Sequence, residues 1–370
     1  VSNISRGEIV LHVVVTRFKE NNEMRKTVWL LLSFIGFAFL AGAQEKKKIA
    51  VYGVAFYNLE NLFDTINNND KYDAEFSPQG DRQWTGKKYW SKVTNMASVF
   101  KEMANKFIPT GPAVIGVVEL ENRSVLEDLV KAPSIRAWNL QIVHYDSPDR
   151  RGVDVGLLYN PKFFKVLSTA SRRLFIPSKP DFLTRDQLVV TGLLGGDKIS
   201  FIVNHWPSRL GGESQSSFLR EAAAALTRSI ADSLLRDDPN AGVVIMGDLN
   251  DDPFNKSVKD VIGAKKKVEE VPDGGFYNPM WSILDKGIGT LGYRGNWNLF
   301  DQIIISKNLL GKNRETLKFW RAEVFNKPFL TNESGQYKGY PKRTFAGGVF
   351  LNGYSDHFPS LIYLVKEANK

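Results

Sequence analysis

The sequence predicts an α/β protein in which two β-sheets stack face to face and helices cover their outer faces. Three observations predict it. From Lys48 onward the chain is dominated by short runs of apolar, β-branched residues separated by polar loops, and runs that are apolar throughout mark strands buried on both sides. Far fewer segments carry apolar residues at helical spacing. Several neighbouring runs are joined by connections too short for a crossover helix, which disfavours the nearest competitor, a doubly wound parallel sheet.

The elements follow in chain order. Residues 24–43, MRKTVWLLLSFIGFAFLAGA, open on basic residues, continue as an apolar stretch and end on Ala41-Gly42-Ala43. That is the make-up of an export signal cut before Gln44, and the apolar run is short for a bilayer span. The expectation is an exported protein, periplasmic or extracellular, monomeric and without a stable membrane anchor after cleavage. Residues 1–23 have no export logic of their own and end where Met24 offers a start, so they read as an upstream segment, with one domain expected over 44–370. Strands are expected at KIAVYGVAFYNL, AVIGVVEL, LQIVHY, DVGLLYNP, LVVTGLL, ISFIVNHW, AGVVIMGDLN, LFDQIIIS and FPSLIYLV. Helices are expected at 89–107, 124–132 and 217–238, the last with an Ala-rich face and a stop before Pro239-Asn240. The stretches 64–88 and 306–348 show neither period and are expected to be irregular.

Composition narrows the chemistry. With 43% hydrophobic residues in 370 the chain can bury a substantial core, and its formal charge of +9 favours polyanions: nucleic acid, phosphorylated small molecules or anionic lipid heads. It has no cysteine, which excludes thiol catalysis, thiolate zinc sites and disulfides. Between 311 and 345 eight basic residues face three acidic ones, interleaved with Phe, Trp and Tyr. Such a mixture suits nucleic-acid backbones and bases, and the plain alternative is a solvated loop with aromatics tucked onto the core.

Nearly every expected strand meets a polar group at one end. Asn58 and Glu60, Glu119 and Glu121, Asn204 and His205, and Asp248 and Asn250 close four of them, while Asp301 and the pair Asp356-His357 open two more. Carboxylates and imidazoles beside buried strands are costly unless paired, hydrogen-bonded or bound to a cation. Each taken alone has an ordinary explanation: Asp-Leu-Asn is a turn former, and Asn122 or its neighbours can cap a helix. Six such ends in one chain point to one shared site.

The segments FYNLENLFD, VIGVVELEN, VNHWPSR, IMGDLNDDP, LFDQIIIS and YSDHFP resemble, in this order, the motifs of the endonuclease/exonuclease/phosphatase family, over about residues 50 to 366. The resemblance implies a four-layered α/β sandwich of two stacked, mainly antiparallel sheets with outer helices, and phosphoester hydrolysis with Mg²⁺ or Mn²⁺. Carried over by position, it implies that Glu119 binds the metal with support from Asn58 and Asp356. It implies that His357, oriented by Asp301, sits against the phosphate, that Asp248 aligns the attacking water with Asn250 holding it, and that His205 is a second phosphate-contacting histidine. The chain departs from the family in having Val118 where Gln often precedes the ligand Glu, and Glu121 competes with Glu119 for the metal role. Arg151, Asn204 and Arg209 are expected as substrate contacts, because guanidinium and amide groups match phosphate oxygens.

These groups suit the reaction. A phosphodiester already carries negative charge, so hydrolysis needs positive charge and an aligned water, and an all-oxygen donor set favours Mg²⁺ or Mn²⁺ over zinc. The expected function is an exported phosphodiesterase, foremost a nuclease acting on DNA or RNA. A phosphatase or phospholipid phosphodiesterase of the same fold is the first alternative, and a non-catalytic extracellular module binding polyanions or glycans is the remote one.

Overall fold

The computed structural model describes residues 48–68 and 73–368. The expected signal at 24–43 and the segment 1–23 lie outside the described residues. In chain order β1 (Ile49–Leu62) is followed by helix α1 (Gly86–Met103), β2 (Val114–Leu120), helix α2 (Arg123–Val130), β3 (Gln141–His144), β4 (Asp154–Tyr159), β5 (Phe164–Arg172), β6 (Gln187–Leu194) and β7 (Asp197–His205). Next come helix α3 (Glu213–Asp237), β8 (Gly242–Asp248), β9 (Ala264–Lys265), β10 (Phe276–Tyr277), helix α4 (Pro279–Leu284), β11 (Leu291–Tyr293) and β12 (Asn296–Asn298). The chain closes with β13 (Asp301–Ser306), β14 (Lys318–Val324), β15 (Phe345–Ala346), β16 (Val349–Phe350) and β17 (Ser360–Glu367).

Two large sheets form, in the orders β14-β17-β1-β2-β4-β3 and β5-β6-β7-β8-β13-β10-β9. Most neighbours are antiparallel, as expected. The parallel pairs β1–β2 and β7–β8 are the functionally important exceptions. Parallel neighbours finish side by side, and an antiparallel partner starts at that same edge: β17 beside β1, and β13 beside β8. Each sheet therefore gathers two strand ends and one strand start at a single edge.

The sheets pack through one apolar core drawn from both, including Val54, Phe56, Val117, Val203, Val244, Met246, Ile303 and Ile362. Gly116 on β2 allows the close approach, since a Cβ there would stand 2.5 Å from the Met246 sulfur on β8. α1 lays Tyr89, Val93, Met96, Ala97, Phe100 and Met103 against the first sheet, a spacing of three and four residues that keeps one helix face inward. The small residues Ala223, Ala224 and Ala231 of α3 pack with Ile202, Val243, Ile245 and Ile304 on the outer face of the second sheet. Layers run helix, sheet, sheet, helix.

The expected irregular stretch at 306–348 contains β14, an edge strand that pairs with β17. Its alternation is hidden because most of its residues are only half buried and the sequence mixes Lys, Trp, Arg and Glu. β5, the polar edge of the second sheet, lacks a legible pattern for the same reason. α2 begins where the Asn122 side chain accepts the Val125 N–H at 3.2 Å, the capping role open to that residue. Among the described residues no helix is long and apolar enough to cross a membrane.

Candidate active site

Strand register assembles one wall of the site. Asp248 ends β8, lies opposite His205 at the end of β7 and opposite Asp301 at the start of β13, so three residues distant in sequence form one row. The facing sheet supplies the other wall. β1 ends in Asn58 and Glu60, β2 in Glu119, and the turn entering β17 brings Asp356 and His357. Ser355 fastens that turn, its hydroxyl donating to the Asn58 carbonyl at 2.8 Å and accepting the His357 N–H at 3.1 Å.

Both β1 and β2 kink where they deliver these groups. Pairing shifts register between Asn58 and Leu62 and between Val118 and Leu120. Glu60, Asn61 and Glu119 all hold positive φ, at 47°, 55° and 58°. A left-handed residue in a strand costs roughly 1 kcal/mol or more and re-aims its side chain, and such strain gathers at functional sites. Asn250 holds a φ of 49° in the turn after β8, where Asn tolerates that conformation. Its N–H donates to Asp248 Oδ1 at 3.0 Å and its amide to the Trp206 carbonyl at 3.0 Å, which fixes the turn and one carboxylate oxygen.

Histidine and carboxylate interlock across the cleft. His357 Nδ1 meets Asp301 Oδ2 at 2.7 Å, leaving Nε2 at 3.9 Å from both Asp248 Oδ2 and Asp356 Oδ1. Burial works against a charged imidazole, but attraction to Asp301 and Asp248 outweighs it and holds the His357 pKa well above its ordinary value. His205 has the opposite environment. Burial first, then repulsion from Arg185 and Arg151, drives its pKa well below the usual histidine range. Its Nε2 lies 3.7 Å from Glu119 and 3.8 Å from Asp248, while its Nδ1 is buried without a hydrogen-bond partner among the described residues. Burial pushes the Asp248 carboxyl up to about 7, with His357 opposing and Asp301 adding to the rise.

The remaining carboxylates converge on a cationic side chain. Arg343 donates to Glu60 Oε1 at 3.2 Å and to Asp356 Oδ2 at 2.9 Å, and Glu119 is near enough to help hold its charge. Beneath them Lys92 is sealed in α1, with its Nζ 3.8 Å from Glu60 and 2.7 Å from the Thr344 hydroxyl. Burial and the Asp356 charge raise Glu60 to about 7. Glu60 and Asp356 held on one guanidinium, with Glu119 3.7 Å from His205 nearby, are hard oxygen donors of the kind a divalent cation takes. Glu119 and Asp356, flanked by Glu60, fit that group. Asn58 Oδ1 accepts the Glu60 N–H at 2.8 Å and its amide donates to Asp248 at 3.1 Å. It therefore positions Asp248. In the cleft it is Asp248, Asp301 and His357 that bring ligand-type atoms within 4.8 Å of one another, with His357 hydrogen-bonded to Asp301 and Asp248 3.9 Å from its Nε2.

Two expected substrate contacts are placed elsewhere. Asn204 is 0% exposed, and its amide is spent on the carbonyls of Ile202 and Met246 while its oxygen accepts from Trp206 and Thr227. The strand alternation that points His205 into the cleft turns Asn204 toward α3. Arg209 donates to the Asn250 carbonyl, Glu213, Asp251 and Asn255, and so clamps the turn after β8 to the start of α3. We expect Arg209→Ala to lower stability by about 2 kcal/mol, the worth of a lost charged hydrogen-bond set, seen as a fall of several degrees in Tm, with KM unchanged. A KM rise at constant Tm would return Arg209 to the substrate. Arg151 remains at the rim, 51% exposed at its side chain and near enough to depress His205.

Glu60, Lys92, Arg185 and Arg343 belong to the site but were not assigned to it from sequence. Arg185 donates to the carbonyls of His205 and Trp206 and pairs with Asp149 at 3.1 Å, which locks the end of β7. Glu60 carried a signal as one of the polar strand ends. Arg343 was one basic residue among eight in its stretch, with nothing local to single it out. Glu121 faces away, bound to the Asp64 N–H at 2.7 Å and the Asn68 amide at 2.6 Å, whereas Glu119 stands 3.7 Å from His205 in the cleft.

The profile of the Endonuclease/Exonuclease/phosphatase family matches residues 53–366. Solved structures share the fold at low identity. A mannosyl-6-phosphatase of Bacteroides thetaiotaomicron is 16% identical with a TM-score of 0.51, covering 85% of this chain and 99% of that one. An endonuclease/exonuclease/phosphatase family protein of the same organism is 14% identical at 0.50, covering 87% and 97%. TDP2 from Caenorhabditis elegans is 16% identical at 0.50, covering 88% and 77%. No curated protein matches the chain at a significant level.

Proposed function

The chain belongs to the endonuclease/exonuclease/phosphatase family of phosphoesterases, and from that premise we propose that it is an exported, divalent-metal-dependent phosphodiesterase acting on nucleic acid. The observation that carries the chemistry is the convergence of Asp248, His205 and Asp301 with Glu119, Asp356 and His357. The preference for nucleic acid is supported by the basic and aromatic stretch 311–345, which sends Arg343 into the same cleft. Export is supported by the make-up of residues 24–43.

Asp248 is the group to take the proton of a water attacking phosphorus, since Asn58 and the Asn250 N–H hold its two oxygens in place. As the new oxygen–phosphorus bond forms, the bond to the departing alkoxide breaks, and that alkoxide takes its proton from solvent. His357 enters as the imidazolium, its Nε2–H free to donate to a phosphoryl oxygen while Nδ1–H stays on Asp301. His205 is held neutral and offers its Nε2 edge from the opposite wall. A divalent cation on Glu119, Asp356 and Glu60 would neutralise charge on the phosphoryl and leaving oxygens.

Hydrolysis of plasmid DNA, RNA and a panel of phosphomonoesters tests this reading. Cleavage of DNA or RNA at a kcat/KM well above that for any monoester is the expected result. Turnover confined to sugar phosphates would instead favour a phosphatase, the activity named for one structural neighbour.

A further inference from the structure

We propose that the cavity walled by the β11–β12 hairpin and the segment 332–351 is a nucleobase subsite beside the scissile phosphate. This rests on the phosphodiesterase reading above. The cavity holds about 430 Å³, within the range of small-molecule sites, and its lining includes Tyr293, Arg294, Tyr337, Tyr340, Arg343 and Asp356. Its lining meets the catalytic centre at Arg343 and Asp356. Arg343 bonds Asp356, and Asp356 Oδ1 stands 3.9 Å from His357 Nε2, so a group leaving the phosphate next to His357 passes directly into this space.

The walls suit a flat, π-rich ligand. Tyr293 and Tyr337 are 59% and 54% exposed and both line this one cavity. The Arg294 guanidinium sits 5.2 Å over the Tyr293 ring, and such a pair can sandwich a base on one side and reach a phosphate on the other. Tyr340 makes the rigid face. Its ring packs on Trp297 at 5.1 Å, and it fits against the hairpin because Gly292 has no Cβ, which would lie 2.5 Å from the ring. Tyr337 leans over it at 6.3 Å and 37°, which leaves an open wedge. Stacking on such faces is tolerant of base identity, so the subsite takes any base of a single strand or strand end.

Calorimetry on the full chain decides the matter, with thymidine 5′-monophosphate compared against deoxyribose 5-phosphate. The wild type should bind the nucleotide roughly tenfold or more tightly than the sugar phosphate, the size of one base–aromatic stack. Tyr293→Ala with Tyr337→Ala should remove that preference and leave the sugar phosphate affinity unchanged, because both rings are exposed and support no core. Equal affinities in the wild type, tighter binding of the sugar phosphate, or a preference that survives in the variant would each overturn the proposal. The two readings fail separately. A nucleotide preference without any cleavage of oligonucleotides supports the base subsite and removes the phosphodiesterase assignment, whereas cleavage without the preference removes the subsite alone.

Discussion

Asp248→Asn and His357→Ala should each lower kcat on a nucleic-acid substrate by about 10³-fold, near the upper range for a positioned acid or base, with Tm within a few degrees of the wild type in Asp248→Asn. Asparagine keeps the hydrogen-bond acceptor for the Asn250 N–H and removes a buried carboxylate that burial already disfavours. The fold therefore has little to lose. A pH profile separates the two roles. A base works only when ionised, and the Asp248 carboxyl lies at about 7, so kcat/KM should rise with pH up to that region. A bound cation favours the ionised form and moves the midpoint lower, never higher. His357, with its pKa raised, stays protonated across the same window. The rise should vanish in Asp248→Asn and persist in His357→Ala. Retention of more than a tenth of wild-type kcat in Asp248→Asn would show that another group takes the proton.

Chelation is the second large effect. EDTA should abolish hydrolysis, and Mg²⁺ or Mn²⁺ should restore it, because His205 is held neutral while His357 and Arg343 are already paired with Asp301 and Asp356. Glu119→Gln should raise the cation concentration for half-maximal activity by about 10- to 100-fold at least, the loss seen when even an outer partner of a metal ligand is removed. Glu60→Gln should move it in the same direction, since Glu60 stands with Asp356 around Arg343. Full activity in EDTA would remove the cation from the mechanism.

The layers and most elements are legible in sequence because burial on both faces writes itself as unbroken apolar runs. The three long helices follow from their spacing, and α1 and α3 begin only three or four residues earlier than expected. Edge strands are not legible in this way. β5 and β14 keep one face in water and read as polar loop. The same contrast runs through the site. Asp248, Asp301, His205 and His357 stand at the ends of apolar runs, and that placement alone made them candidates. Arg343 sits in a basic segment where no residue differs in kind from its neighbours, and Asn204 is adjacent to His205 yet points the other way.

What the sequence by itself determined is the set of groups delivered to strand ends and the divalent-cation chemistry they suit, because charged side chains beside buried strands need a common partner. Which of those groups meet was decided only by tertiary structure. Register across β7, β8 and β13 lines up His205, Asp248 and Asp301, and the kinks at Glu60 and Glu119 turn one carboxylate to Arg343 and the other toward His205. Side-chain direction alternates with every residue and is reset by each bulge, so contact between distant segments depends on pairing that no single segment encodes.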